Sequence, residues 1–178
     1  GTTMPTEQEK TTAALKFAIQ MEIDGKAFYL KSAGESTNEL GKKLLEALAR
    51  AEDYHRIKFQ QEFDNISNKK GWVNPEITTD GGRTLRTIFA REIAKKPSQI
   101  KPANTELEAA GKAQQMEAKT FDYYHARGEQ AESEVEREFF NTIAAEEQEH
   151  LLVMNDYFEY LKNPAEWFTR TERHSLDG

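Results

Sequence analysis

The stretch Ala51-Glu52-Asp53-Tyr54-His55 carries a Glu-x-x-His motif within a long helical pattern. The motif returns 95 positions later, from 52 to 147 and from 55 to 150, as Glu147-Gln148-Glu149-His150. A single glutamate precedes each copy by 30 positions, Glu22 the first and Glu117 the second. Two Glu and two Glu-x-x-His motifs, one from each of four helices, are the side chains with which a four-helix bundle holds two metal ions in its core. The repeat therefore predicts an all-α bundle and a dinuclear metal site.

The spacing also indicates how these side chains would act. Residues three apart lie on one face of a helix, so each Glu-x-x-His can reach one metal region. Glu22 and Glu117 occupy positions where a core-facing stripe calls for an apolar residue, and a buried carboxylate is costly unless it is paired or coordinates a metal. One Glu-x-x-His alone is more often an exposed pair, but two copies in matched register favour metal. The predicted ligands are Glu22, Glu52, His55, Glu117, Glu147 and His150, a donor set that suits iron or manganese.

The hydrophobic pattern predicts four long helices with short links inside each pair and a long crossover between the pairs. Gly34 and Gly128 are predicted to end the first and third helices. A long link between the second and third helices is the ferritin-like connectivity, here in a single domain over residues 1–178. The predicted helices run over Thr6–Ala33, Asn38–Ser67, Thr105–Arg127 and Glu132–Leu161, and the crossover comprises a loop Asn68–Arg83, a short helix Thr84–Lys96 and a second loop bracketed by Pro97 and Pro102.

The two halves align without a gap, which predicts a duplicated helical hairpin with a pseudo-two-fold axis. Besides the ligands, the shared register pairs Gln20 with Gln115, Met21 with Met116, Tyr29 with Tyr124 and Ala49 with Ala144. In the first helix, the predicted core stripe is interrupted by Glu22 and consists of Leu15, Ile19, Ile23, Lys26 and Leu30.

Several other residues near the motifs need a separate interpretation. Tyr29 and Tyr124 lie seven residues after Glu22 and Glu117, so they face the same way two turns on. They are either hydrogen-bond partners of the ligands, redox-active phenols or core aromatics, and the sequence does not decide between these. Glu146 and Glu149 flank a ligand, but their counterparts in the repeat are Ala51 and Tyr54, so both are predicted to be solvated.

The remaining candidates are predicted to be structural. His125 lies off the Glu117 face and is expected at the surface, and His174 is expected to be no ligand. Gln20 and Gln115 fall off the ligand face. Trp72 and Trp167 are expected to pack, with Trp167 and Phe168 docking the tail on the bundle.

Composition limits the function classes. The chain has 178 residues, a net charge of −7 and no cysteine. The negative charge disfavours nucleic acid and anionic membranes as partners. The absence of cysteine excludes disulfides, thiolate nucleophiles and iron–sulfur clusters in this chain. With no apolar leader and no apolar run of about 18 residues, we expect a cytoplasmic protein with no membrane partner.

Two strings resemble the rubrerythrin branch of the ferritin-like di-iron carboxylate superfamily. They are Met21-Glu22-Ile23-Asp24-Gly25-Lys26-Ala27-Phe28-Tyr29 and Ala51-Glu52-Asp53-Tyr54-His55, and the second half repeats them. The resemblance covers about residues 6–162 and implies a non-haem di-iron site with the same six residues as ligands. Two features depart from it: there is no Cys₄ rubredoxin domain, and Gln114 and Thr120 stand where an additional third-helix glutamate is expected.

The resulting prediction is a protein with two iron ions, or iron and manganese, that performs redox chemistry on peroxide or dioxygen. Since the chain has no cysteine, the electrons are expected from an external donor. The protein is expected to form a homo-oligomer, specifically a dimer. Two alternatives stay open at this stage: a ferroxidase or iron storage and handling protein, and a structural bundle with a vestigial metal site.

Overall fold

The computed structural model describes residues 3–95, 104–167 and 169. They form five helices, and none of these described residues lies in a strand, which confirms the predicted all-α class. Within the described ranges no helix is long and apolar enough to cross a membrane. The helices are α1 (Glu7–Glu35), α2 (Glu39–Ser67), α3 (Arg83–Ala94), α4 (Asn104–Glu129) and α5 (Glu134–Lys162), and a short helical turn follows at 164–167.

The four long helices form two hairpins, α1 with α2 and α4 with α5, and α3 packs on α2 and α5. Short polar turns start the second helix of each hairpin. The Asn38 side chain accepts a hydrogen bond from Gly41 N at 2.7 Å, and Ser133 caps α5 in the same way. The buried Glu106 carboxylate of α4 accepts hydrogen bonds from Thr37 N at 2.6 Å and from Asn38 Nδ2 at 2.8 Å. The start of the second hairpin therefore holds the turn of the first.

The predicted helix ends are close, but two glycines do not end their helices. Gly34 and Gly128 lie within helical turns, and α1 and α4 continue to Glu35 and Glu129. Gly128 is instead a point of close approach, because a Cβ there would collide with Asn141 Oδ1 of α5. Lys96, Pro97 and Pro102 of the predicted crossover lie outside the described residues.

The core face of α1 differs from the predicted stripe. Ile23 and Leu30 are 42% and 50% exposed, so their predicted burial is wrong. The buried face carries small and polar residues beside Leu15 and Tyr29, while Ile23 and Leu30 lie on the outer face of this helix. Its buried residues are Ala14, Leu15, Ala18, Glu22, Gly25, Tyr29, Ser32 and Ala33.

Two apolar clusters fill the bundle, one towards each end. One contains Tyr29, Leu44, Leu48, Ala113 and Tyr157 among others. The second contains Leu15, Phe59, Tyr124, Phe139, Ile143 and further residues. Along each long helix the predicted ligands fall between the two clusters, so the polar site lies in the middle of the bundle with apolar packing on both sides.

The tryptophans pack as predicted. Trp72 from the crossover packs at an angle against Phe139 and Phe140, with ring centroids 5.5 and 6.0 Å apart. Trp167 packs edge-on against Phe89 of α3 at 5.5 Å. Phe168 and His174 lie outside the residues whose side chains are described.

Candidate metal centre

All six predicted ligands converge in the bundle core. Each is at most 5% exposed, and Glu22, His55 and Glu147 are fully buried. Four helices each contribute at the predicted position: α1 and α4 one glutamate, α2 and α5 a Glu-x-x-His. The side chains fall into two overlapping groups whose potential ligand atoms lie within 4.8 Å of one another: Glu52, Glu117, Glu147 and His150, and Glu22, His55 and Glu147.

Glu147 belongs to both groups, so its carboxylate is placed to serve both halves of the centre. The two imidazole rings lie nearly parallel, with centroids 5.9 Å apart. His55 Nδ1 lies 2.9 Å from Glu147 Oε1 and 3.8 Å from Glu22 Oε1. His150 Nδ1 lies 3.6 Å from Glu117 Oε1 and 3.8 Å from Glu52 Oε1. Most of these separations exceed a hydrogen bond, so the donor atoms face one another across a gap.

Two tyrosines tie the hairpins together at the centre. The Tyr29 hydroxyl of α1 donates to Glu117 Oε1 of α4 at 2.5 Å. The Tyr124 hydroxyl of α4 donates to Glu22 Oε1 of α1 at 2.6 Å. Of the readings left open, the hydrogen-bond partner is the one with direct contacts, and both rings also belong to the apolar clusters. Each phenol fixes one carboxylate oxygen and leaves the second free.

Gly25 gives one of the carboxylates its space. It lies on the buried face of α1, one turn after Glu22. A Cβ at this position would lie 3.1 Å from Glu52 Oε2, which is tighter than ordinary van der Waals contact. The glycine therefore lets the Glu52 carboxylate approach the α1 backbone. The repeat gave no signal for this role, because its counterpart Thr120 carries a side chain, whose hydroxyl donates to Met116 O at 2.8 Å.

The close packing of acidic and basic groups in the cluster shifts the pKa values of several of its members. Burial, reinforced by the other carboxylates, raises the pKa of Glu22 and of Glu147 well above the ordinary value. Burial alone would also raise the pKa of Glu117, but its close neighbours Glu147 and His150 and the Tyr29 hydroxyl hold the pKa below its ordinary value. Burial alone would lower the pKa of His150, yet the Glu117 and Glu52 carboxylates raise it to about 10. Metal binding must displace the protons of the groups whose pKa is raised.

Unsatisfied buried atoms test whether the residues present fit a metal pair. Among the described residues, six buried side-chain nitrogen or oxygen atoms lack a hydrogen-bond partner, and one of them is Arg127 Nε. The other five all belong to predicted ligands: Glu22 Oε2, Glu52 Oε1, Glu117 Oε2, Glu147 Oε2 and His150 Nδ1. Buried polar atoms are nearly always paired, so five unpaired oxygen and nitrogen atoms around one volume fit a site for cations. The residues fit two metal ions, and their role as ligands remains a prediction.

Glu146 was predicted to be solvated, and this is wrong. Its side chain is 14% exposed, and its Oε2 lies in very short contact with His55 Nε2. A carboxylate on the far nitrogen of a metal-ligating histidine fixes the orientation and tautomer of the ring. The sequence argument missed it because the repeat breaks here, with Ala51 as the counterpart. Glu149 lies at the surface, 33% exposed, and pairs with Arg86 Nη1 at 2.9 Å.

The other candidates lie outside the centre. The His125 side chain is 54% exposed and pairs with Glu129, as expected for a surface histidine. Gln20 and Gln115 are exposed. Gln114 stands at one of the positions where the additional third-helix glutamate is expected. Its Nε2 donates to Asn155 Oδ1 at 2.8 Å.

Fold and site together define a four-helix-bundle protein with a buried carboxylate–histidine cluster of the kind that holds two metal ions. The family model described as Rubrerythrin matches residues 13–150, which is most of the chain and spans all six predicted ligands. The chain therefore belongs to the rubrerythrin family. No curated protein and no solved structure matches it.

Proposed function

We propose that this protein holds two iron ions in one non-haem centre and uses them to reduce peroxide or dioxygen. The observation that carries the proposal is the set of five unpaired ligand atoms around one buried volume. An iron pair supplies the electron-transfer chemistry when bound, and manganese beside iron would suit the same donors. The electrons come from an external donor, because the chain has no cysteine for an iron centre of its own. The proposed assembly is a homodimer, and neither nucleic acid nor a membrane is proposed as a partner.

The chain's own residues would divide the work as follows. Glu22, Glu52, Glu117 and Glu147 supply anionic oxygens, and His55 and His150 supply one nitrogen each. Tyr29 and Tyr124 keep one oxygen of Glu117 and of Glu22 in place. The apolar clusters on both sides exclude bulk water, which strengthens the electrostatic interactions within the site.

The test compares Glu52→Ala with Glu46→Ala. Glu46 is exposed on the same helix, so both variants remove a glutamate and leave a helix-favouring residue. Each protein is loaded anaerobically with Fe(II), and iron oxidation is followed by stopped-flow absorption after mixing with peroxide or dioxygen.

We expect rapid oxidation in the parent and in Glu46→Ala, and loss of bound iron and of rapid oxidation in Glu52→Ala. Oxidation by the parent no faster than that of free Fe(II) would contradict the proposal. Rapid oxidation by dioxygen alone, with no response to peroxide, would move the assignment to ferroxidase activity.

A further inference from the structure

The pseudo-two-fold symmetry of the centre breaks beside its histidines. Glu146 lies against His55 Nε2 and closes that side of the ring. The position that the repeat pairs with Glu146 is Ala51, whose side chain is a single methyl group. Ala51 and His150 line one cavity of about 290 Å³. One histidine is therefore covered by a carboxylate, and the other adjoins open space.

The cavity lies between α2, α5 and the crossover. Of the six predicted ligands, His150 is the one in its wall. At about 30 Å³ per water molecule, it has room for a solute of two or three heavy atoms together with water. Its walls include Ala51 and Tyr54 of α2, Asp80 and Leu85 of the crossover, and Glu146 and His150 of α5.

The crossover segment that lines the cavity is attached to both α2 and α5. Thr78 N donates to the Tyr54 hydroxyl of α2 at 2.7 Å. Arg86 pairs with Glu149 of α5 at 2.9 Å. The crossover therefore spans the mouth with one anchor on each side.

The charged side chains in the wall are of both signs, because Arg50 and His150 line the cavity together with Asp80 and Glu146. The Asp80 carboxylate accepts hydrogen bonds from Gly82 N and Thr84 N, both at 3.0 Å, and from the Thr84 hydroxyl. The Glu146 carboxylate is engaged by His55. Both carboxylates are thus engaged by protein donors, and a wall that carries charges of both signs gives no strong preference for a charged solute, so a small neutral one is accommodated.

We propose that this cavity is the path by which small neutral ligands, of the size of peroxide or dioxygen, reach the centre from the His150 side. Glu146 closes the equivalent path at His55. This inference rests on the proposed metal centre, and it adds which side of the centre is open and which residues control the opening.

The test fills the cavity and measures ligand binding without turnover. The probe is nitric oxide, a small neutral ligand of Fe(II), added anaerobically to the Fe(II)-loaded protein and followed by stopped-flow absorption. Ala51→Leu places an isobutyl group in the wall, and Ala13→Leu makes the same change at an exposed position of α1. Thr78→Trp adds a large side chain at the exposed rim of the cavity, at a position that lies outside the helices.

We expect Ala51→Leu to slow nitric oxide association about tenfold or more and Thr78→Trp to slow it to a smaller degree, with iron content unchanged. Ala13→Leu should associate at the parent rate. If Ala51→Leu fails to fold or to hold iron, Thr78→Trp decides the matter. Parent-like association in an iron-loaded, cavity-filled variant would overturn the inference and leave the metal centre standing. A parent protein that binds no iron would overturn both.

Discussion

At the scale of single residues, the two tyrosines show what an internal repeat can and cannot predict. The spacing placed Tyr29 and Tyr124 on the ligand face but left their role open. Only the packing of one hairpin on the other decides it, because each hydroxyl meets a glutamate of the opposite hairpin. Burial and the neighbouring carboxylates raise the pKa of both phenols well above the ordinary value, so they remain hydrogen-bond donors at neutral pH.

The first prediction concerns these hydrogen bonds. Tyr29→Phe and Tyr124→Phe each leave a buried glutamate oxygen without its donor, so we expect a loss of about 1–3 kcal/mol in the free energy of unfolding of the metal-free protein. Metal affinity should fall about 10- to 100-fold, because the freed carboxylate is no longer oriented. Urea unfolding and Mn(II) competition with a chelating dye measure the two effects.

Tyr123→Phe is the matched control for that pair, since the Tyr123 hydroxyl makes only a 3.5 Å contact with Ala14 O. It should leave Mn(II) affinity unchanged. Equal affinities in all three variants and the parent would show that the hydroxyls do not support the centre.

At the scale of the helices, sequence reasoning succeeded where one face repeats and failed where the faces differ. The ligand register predicted which residue of each helix points inward, because a Glu and a Glu-x-x-His recur at a fixed offset. The repeat could not predict the roles of Glu146 and Gly25, because the residues at the equivalent positions, Ala51 and Thr120, are of different types. The apolar stripe of α1 misled for a related reason: its core face carries Ala, Gly and Glu, while Ile23 and Leu30 stand outside.

A second prediction compares two glycines of α1. Gly25→Ala brings a Cβ to 3.1 Å from Glu52 Oε2, whereas a Cβ at Gly34 meets nothing within 4 Å. Both changes favour the helix by about 0.5–1 kcal/mol. We expect Gly25→Ala alone to weaken Mn(II) binding, by about tenfold, because the Glu52 carboxylate must move. Gly25→Ala and Gly34→Ala proteins with the same Mn(II) affinity would disprove the role given to Gly25.

At the scale of the whole molecule, the duplicated hairpin explains how a polar centre can lie inside a stable fold. Each half supplies half of the predicted ligands, and apolar packing flanks them towards both ends. The fold class and the convergence of the six predicted ligands could be predicted because both the helices and these residues repeat through the chain. The crossover that roofs the cavity has no counterpart in the repeat, so its docking through Tyr54 and Arg86 could not be predicted.

A third prediction concerns pH and the metal-free protein. Between their ordinary value of 4.5 and their raised pKa, Glu22 and Glu147 keep protons in the folded state that the unfolded chain has released. His150 does the same between 6.5 and about 10. When the folded state binds more protons, the free energy of unfolding falls as pH rises. We therefore expect the melting temperature of the metal-free protein to fall from pH 6 to 9.

Glu62 allows a control for that pH effect. It lies away from the centre, and burial raises its pKa to about 7. It therefore contributes to the decrease in the free energy of unfolding between pH 4.5 and 7. Glu62→Gln removes the contribution of Glu62 and should leave the decrease in melting temperature above pH 7 unchanged. Saturating Mn(II) should reverse the trend, because the metal binds deprotonated ligands. A metal-free melting temperature that rises or stays constant from pH 6 to 9 would contradict the protonation scheme.

Anaerobic titration of the metal-free protein with Fe(II), followed by direct measurement of bound iron, tests the central claim most directly. If the six converging side chains form one dinuclear centre, binding saturates at two ions per chain, and Glu147→Ala, which removes the residue common to both groups, abolishes tight binding of both. Glu46→Ala should still bind two. A parent protein that binds no iron tightly, or a Glu147→Ala protein that still binds two ions, would contradict the account.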